Sequence, residues 1–226
     1  MTPEQRSAIR ETAKYLRRVR PIDPDEIHEY VEGRPHPSAI RQVLRESATD
    51  LGLVEHEDDT FTPVSEAPVP TDGTPERFPP EYGQLLLDQL VDQYGVDWST
   101  GESGDRLRTV IRQLKTDYFR GRAVTYDAEA ALGYAIYHLP DAYAAMRYVV
   151  DEVARNGLLG HRLRVLDVGA GVGGPALGLF EFLPDDALVE YHAVEPSAAV
   201  DLLETFLETT GRNVHPTIHR EAAETH

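Results

Sequence analysis

The chain has 226 residues, enough for one large domain or two small ones with buried cores. It carries 39 acidic against 22 basic residues, a formal charge of −17, and Lys14 and Lys115 are its only lysines; arginine replacing lysine on an acidic surface points to a halophilic source, where self-repulsion is screened. Cysteine is absent, which excludes disulfides, thiol catalysis and cysteine-ligated metal within these residues. With no N-terminal apolar leader and no run of about 18 apolar residues, the chain is expected to be cytoplasmic, with no membrane partner.

Residues 1–65 read as a helical, winged-helix-like unit. Ile9, Ala13, Leu16 and Val19 share helical spacing up to Pro21, Asp23 and Pro24 start a second helix ending near Gly33, and Pro37 opens a third with Ile40, Val43, Leu44 and Ala48 inward. LVEHEDDTFTPV then reads as strand, acidic turn, strand. This order fits a winged helix that uses the third helix for recognition, and equally a helical cap, since Glu55, Glu57, Asp58 and Asp59 repel phosphates. Residues 66–80 are rich in proline and read as a linker or extended crossing segment.

Residues 81–160 read as a helical region packing on the next domain. Tyr82 to Tyr94 forms one helix; another turns Leu107, Val110, Ile111, Leu114 and Tyr118 to one face, with Arg106, Arg108, Arg112, Lys115, Arg120 and Arg122 gathered around Asp117. That basic run is either a solvated face or a contact for RNA phosphates. An alanine- and tyrosine-rich stretch follows, which Pro140 is expected to divide into two helices. Its tyrosines fit a packed helical layer, or the mouth of a pocket where rings stack on a base.

Residues 161–226 carry the chemistry. LRVLDVGAGVGGPALGLFEFL reads as buried strand, glycine turn and helix, the architecture that brings a nucleoside close to bare backbone. A second strand ends at Glu195, 22 residues beyond Gly173, where a carboxylate can grip both ribose hydroxyls. GAGVGG satisfies both dinucleotide and methyltransferase glycine patterns, and Asp167 discriminates between them. A carboxylate two residues before the first glycine opposes a pyrophosphate and suits a cationic, phosphate-free cofactor, S-adenosylmethionine. Asp167, Gly169, Ala170, Gly171, Gly173 and Glu195 are therefore the expected cofactor-binding residues; no catalytic base and no metal site can be named, because Pro216 places His215 and His219 on a strand or turn. A helix from Ser197 to Glu208 and a third strand from Asn213 to His219 follow, with Glu221, Ala222 and Ala223 expected near the adenine. The fold class is thus α/β: a Rossmann-like class I methyltransferase fold of which the first three strands are present, preceded by the helical region. A complete sheet of this kind has about seven strands, so the C-terminal half of the domain is expected as a missing partner, and the chain alone is expected to be inactive.

YAIYHLPDAYAA at Tyr134 to Ala145, followed by LDVGAGVGGPALGL and AVEPS, resembles the small-ribosomal-subunit methyltransferase-like family, most of all its haloarchaeal members. The resemblance covers roughly residues 80 to 226 and implies action on or beside small-subunit ribosomal RNA during ribosome assembly or translation. In several members a cysteine-rich C-terminal half holds an iron–sulfur or zinc centre, and some members act as assembly factors without methyl transfer. The readings in competition are an S-adenosylmethionine-dependent methyltransferase, a catalytically inactive ribosome assembly factor that keeps the cofactor fold, and an NAD-binding protein, which Asp167 opposes.

Overall fold

In the computed structural model, residues 1–71, 73, 77–122, 124 and 126–221 are described. The chain runs α1 (Pro3–Leu16), α2 (Pro24–Tyr30), α3 (Pro37–Glu46), α4 (Ala48–Leu51), β1 (Leu53–Glu55), β2 (Phe61–Pro63), α5 (Pro80–Tyr94), α6 (Gly101–Phe119), α7 (Ala128–Arg155), β3 (Arg162–Val168), α8 (Gly174–Phe180), β4 (Leu188–Val194), α9 (Ala199–Leu207) and β5 (Val214–His219). The architecture is mixed α/β. No helix among the described residues is long and apolar enough to cross a membrane.

The first four helices and the β1–β2 hairpin enclose one core, built from Ile9, Ile27, Ile40, Leu44, Leu53 and Phe61. Thr2 caps α1 through a reciprocal bond with Gln5, and Asp23 caps α2. Helix α1 stops at Leu16, so Val19 is exposed instead of joining the inward stripe. The hairpin's acidic end is neutralised from α3. Glu55, 3% exposed, accepts hydrogen bonds from Arg41 Nε at 2.5 Å and from Arg45, and Asp59 lies 2.6 Å from Arg41. Burial pushes the Glu55 carboxyl up, but the two guanidinium groups outweigh it and hold the group below the usual carboxylate range.

This unit is seated on the start of the second sheet. Leu188 of β4 packs with Ala48 and Val54, and the Asn213 amide bridges the Glu55 backbone, accepting from its N–H at 2.7 Å and donating to its carbonyl at 3.1 Å. The proline-rich segment is pinned as well: Val69 is buried, and its N–H donates to Leu159 O at 2.7 Å.

Strands β3, β4 and β5 form a parallel sheet in that order, joined by α8 and α9. One face, with Val165, Val189, Tyr191, Ala193 and Ile218, packs on Ala176, Phe180 and Leu203 from the helices. The other face displays Leu166 and Val168, 68% and 58% exposed. Helix α7 lies on α8 at short range because α8 offers glycine where they meet: a Cβ at Gly178 would stand 2.4 Å from Tyr143 O, and one at Gly174 2.8 Å from Ala142 Cβ. That contact also explains why Pro140 does not divide α7. Proline removes one helical hydrogen bond and costs about 3 kcal/mol, but Ala131, Ala135, Leu139 and Tyr143 form one buried stripe across it. A break would uncover that stripe, so the helix runs through from Ala128 to Arg155.

Candidate functional site

β3 ends at Val168, and the chain then turns through three glycines in the left-handed region, Gly169 (φ 75°), Gly171 (φ 56°) and Gly173 (φ 85°), before α8 begins. The three serve different ends. A Cβ at Gly169 would meet nothing within 4 Å, and one at Gly171 only Gly169 O at 3.9 Å, so both present bare backbone to open space. A Cβ at Gly173 would stand 2.5 Å from Leu203 Cδ1, so here the missing side chain lets α9 pack against the turn. The Gly169 N–H donates to Val194 O at 2.8 Å, which ties the loop to the end of β4.

Glu195 follows β4 and is 7% exposed. Its Oε2 accepts the Gly171 N–H at 2.8 Å and its Oε1 the Ser197 N–H at 2.9 Å, so one carboxylate fixes both the glycine loop and the turn into α9. This structural duty has no signal in the sequence. Asp167 lies on the packed face of β3, where Tyr191 donates its hydroxyl to Oδ2 at 2.8 Å. Burial pushes the Asp167 carboxyl above its usual value, the Tyr191 bond opposes that, and the negative charge of Glu195 adds to it. Tyr191 is itself held well above the usual phenol range by burial and by Asp167.

All six residues expected at the site, Asp167, Gly169, Ala170, Gly171, Gly173 and Glu195, line one pocket of about 430 Å³, within the usual range for small-molecule sites. Among the described residues its lining contains two carboxylates, one imidazole and no lysine or arginine. The opposite wall comes from α7 and the residues before it: Tyr126, Tyr134, His138 and Ala142. Tyr126 and Tyr134 meet edge to face at 5.7 Å, Tyr134 and His138 lie 4.6 Å apart, and Tyr126 O accepts the Ala198 N–H at 3.1 Å. The spacing of these rings along the chain fits a packed layer as well as a pocket mouth, and the fold brings Tyr126 and Tyr134 to the pocket wall while burying Tyr143. Glu221 lies beyond β5, and Ala222 and Ala223 fall outside the described residues. His219 stacks on His192 across the open sheet face; no group of three or more potential ligands that could hold a metal ion occurs among the described residues.

A family model described as the N-terminal domain of a domain of unknown function (DUF8157) matches residues 6–57. No curated protein matches. Among solved structures, the chain is similar to TnmH, at 16% identity, 98% coverage of this chain, 62% of that one and a TM-score of 0.27. It is also similar to CalO1, a methyltransferase of calicheamicin biosynthesis in its SAH-bound form, at 18% identity, 96% and 60% coverage and a TM-score of 0.28. A third is the N,N-8-amino-8-demethyl-D-riboflavin dimethyltransferase RosA from Streptomyces davawensis, at 15% identity, 95% and 61% coverage and a TM-score of 0.22. The chain spans about three fifths of the length of these proteins. Likeness at this level carries no chemistry, which has to come from the site itself.

Proposed function

We propose that the pocket at the end of β3 binds S-adenosylmethionine and that the chain is the cofactor-binding part of a Rossmann-like class I methyltransferase acting on RNA of the small ribosomal subunit. The observation that carries the cofactor is the charge of the lining: Asp167 and Glu195 converge on a pocket without lysine or arginine. A dinucleotide brings two phosphates, which such a lining repels. S-adenosylmethionine brings a sulfonium and an ammonium, which it attracts. The bare backbone at Gly169 and Gly171 leaves room for the ligand, and the raised carboxyl of Asp167 is relieved by a cation beside it.

Each residue then has a task. Asp167, oriented by Tyr191, holds the amino group of the methionyl part. Glu195 keeps acceptor capacity on both oxygens beyond the two backbone bonds and takes the ribose hydroxyls. Tyr126 and Tyr134 close the side toward α7 and keep water from the cofactor. S-adenosylmethionine supplies an electrophilic methyl group; transfer by in-line displacement depends on positioning and desolvation more than on a strong base. The RNA target rests on the sequence resemblance to the small-ribosomal-subunit family.

Calorimetric titration of the chain with S-adenosylmethionine and with NAD in molar potassium chloride tests the cofactor. Saturable S-adenosylmethionine binding that Asp167→Asn weakens is the expected result. Binding of NAD that Asp167→Val strengthens, or binding of neither ligand, sinks the reading.

A further inference from the structure

A second cleft, of about 690 Å³, opens between α6 and α7 directly beside the cofactor pocket. Tyr126, Tyr134 and His138 line both cavities. The cleft opens toward the C-terminal end of α6: Leu107 is buried and Val110, Ile111 and Leu114 are half-buried, but Tyr118 at the end of the same stripe is exposed. Gly133 permits a close contact of the two helices, since a Cβ there would stand 2.9 Å from Ile111 Cγ1. Tyr118, the last residue of the stripe expected inward, and its neighbour Phe119 are 73% and 74% exposed, and Tyr137 across the cleft is 56% exposed.

Charge makes this more than an unpartnered apolar surface. Among the described residues the lining includes Arg112 and Lys115 and no Asp or Glu. Of the basic residues around α6, Arg106 pairs with Glu129, Arg108 with Asp105 and Arg122 with Asp117, whereas Arg112 and Lys115 make no ion pair among the described residues. Lys115 Nζ stands 5.9 Å from the Phe119 ring centroid. In a chain of net charge −17, cations left without acidic partners among exposed rings mark a place for an outside anion with a flat apolar part. The two cavities therefore have opposite signs: carboxylates where the cationic methyl donor is proposed to sit, guanidinium and ammonium groups next door.

We infer that the α6–α7 cleft is the acceptor side of the site and receives a nucleotide of a single-stranded RNA, its base stacked among Tyr118, Phe119 and Tyr137 and its phosphate on Arg112 and Lys115. This rests on the methyltransferase reading for its meaning, and on its own observations for its binding. The rings lie on an exposed rim instead of in a closed chamber, which suits a strand that continues past the cleft. Stacking tolerates high salt, whereas the phosphate contacts weaken in it. Tyr126, Tyr134 and His138, shared by both linings, then flank the junction through which the acceptor atom has to reach the methyl group directly.

The test is fluorescence anisotropy of a labelled ten-nucleotide uridine oligoribonucleotide against the chain at low and molar potassium chloride, with S-adenosylmethionine titrated into every variant. The double variant Arg112→Glu, Lys115→Glu is expected to lose binding at least tenfold at low salt, and Tyr137→Ala roughly 5- to 100-fold at both salts; these side chains are exposed, and a melt unchanged from the parent confirms folding. Wild-type affinity in these variants, or no binding by the parent, overturns the proposal. Displacement by uridine monophosphate at concentrations comparable to the oligonucleotide also overturns it, by making a free nucleotide the occupant, as does a charge-dependent self-association without RNA binding. Oligonucleotide binding without S-adenosylmethionine binding removes the cofactor reading and leaves the cleft; the converse removes the cleft alone.

Discussion

Two groups of cations in this chain have opposite surroundings. On α3, Arg41 and Arg45 converge on the buried Glu55, so the arginines of the helix that a winged-helix reading would send into a groove are engaged within the protein, and the hairpin beside them is docked on the sheet through Asn213. On α6, Arg112 and Lys115 face a cleft without acids among the described residues. Both places carry two basic side chains on one helix. Cations that neutralise a buried carboxylate hold the fold together; cations left facing solvent beside aromatic rings are available to a ligand.

The largest effect that separates the two groups is on stability. Glu55→Ala removes the buried acceptor shared by Arg41 and Arg45, of which Arg41 keeps Asp59, and is expected to destabilise the chain by about 2 kcal/mol, read from chemical denaturation at fixed salt. Arg112→Ala is expected to change stability by less than about 0.5 kcal/mol. Equal losses for both would dissolve the contrast.

Next in size is the response of the cofactor site. Asp167→Asn is expected to weaken S-adenosylmethionine binding about tenfold or more, since a hydrogen bond between charged groups contributes about 1.5–3 kcal/mol. The same change removes a carboxylate that burial and Glu195 disfavour, so the ligand-free melting temperature is expected to rise. A fall in both affinity and melting temperature would give Asp167 a structural role instead. Glu195 differs: Glu195→Ala strips the acceptor from the Gly171 and Ser197 N–H groups and is expected to lower the melting temperature together with affinity.

The smallest effect concerns acid. The Glu55 carboxyl lies below its usual value in the folded chain, so its contribution is complete above the unfolded value near 4.5 and is lost as pH falls through the lower folded value. Stability measured from pH 6 down to about pH 3 is expected to fall less steeply for Glu55→Gln than for the parent; parallel curves would mean the Arg41 and Arg45 pairing contributes nothing.

Much of the site was readable along the chain because its parts are local. A strand, three glycines and a helix succeed one another within residues 162–180, and Asp167 is placed relative to them by sequence spacing alone. The dual role of Glu195 was not, since Ser197 is a local partner two residues on but Gly171 is brought to it by the parallel pairing of β3 with β4. Pro140 misled for a related reason: a local hydrogen-bond rule argues for a break, and the burial of a whole helical stripe against α5, α8 and α9 outweighs it.

The sequence by itself determined the glycine turn, its carboxylates and the α/β order, because strand period, left-handed glycine conformations and helix stripes are properties of neighbouring residues. Tertiary structure alone decided which cations are engaged and which are open. Glu55 reaches α3 within its own unit, but its backbone is held by Asn213, 158 positions away, and the α6–α7 cleft lies beside a close approach of the two helices at Gly133. Charge and ring count are written in the chain; whether they face a partner or a ligand depends on distances that only packing sets.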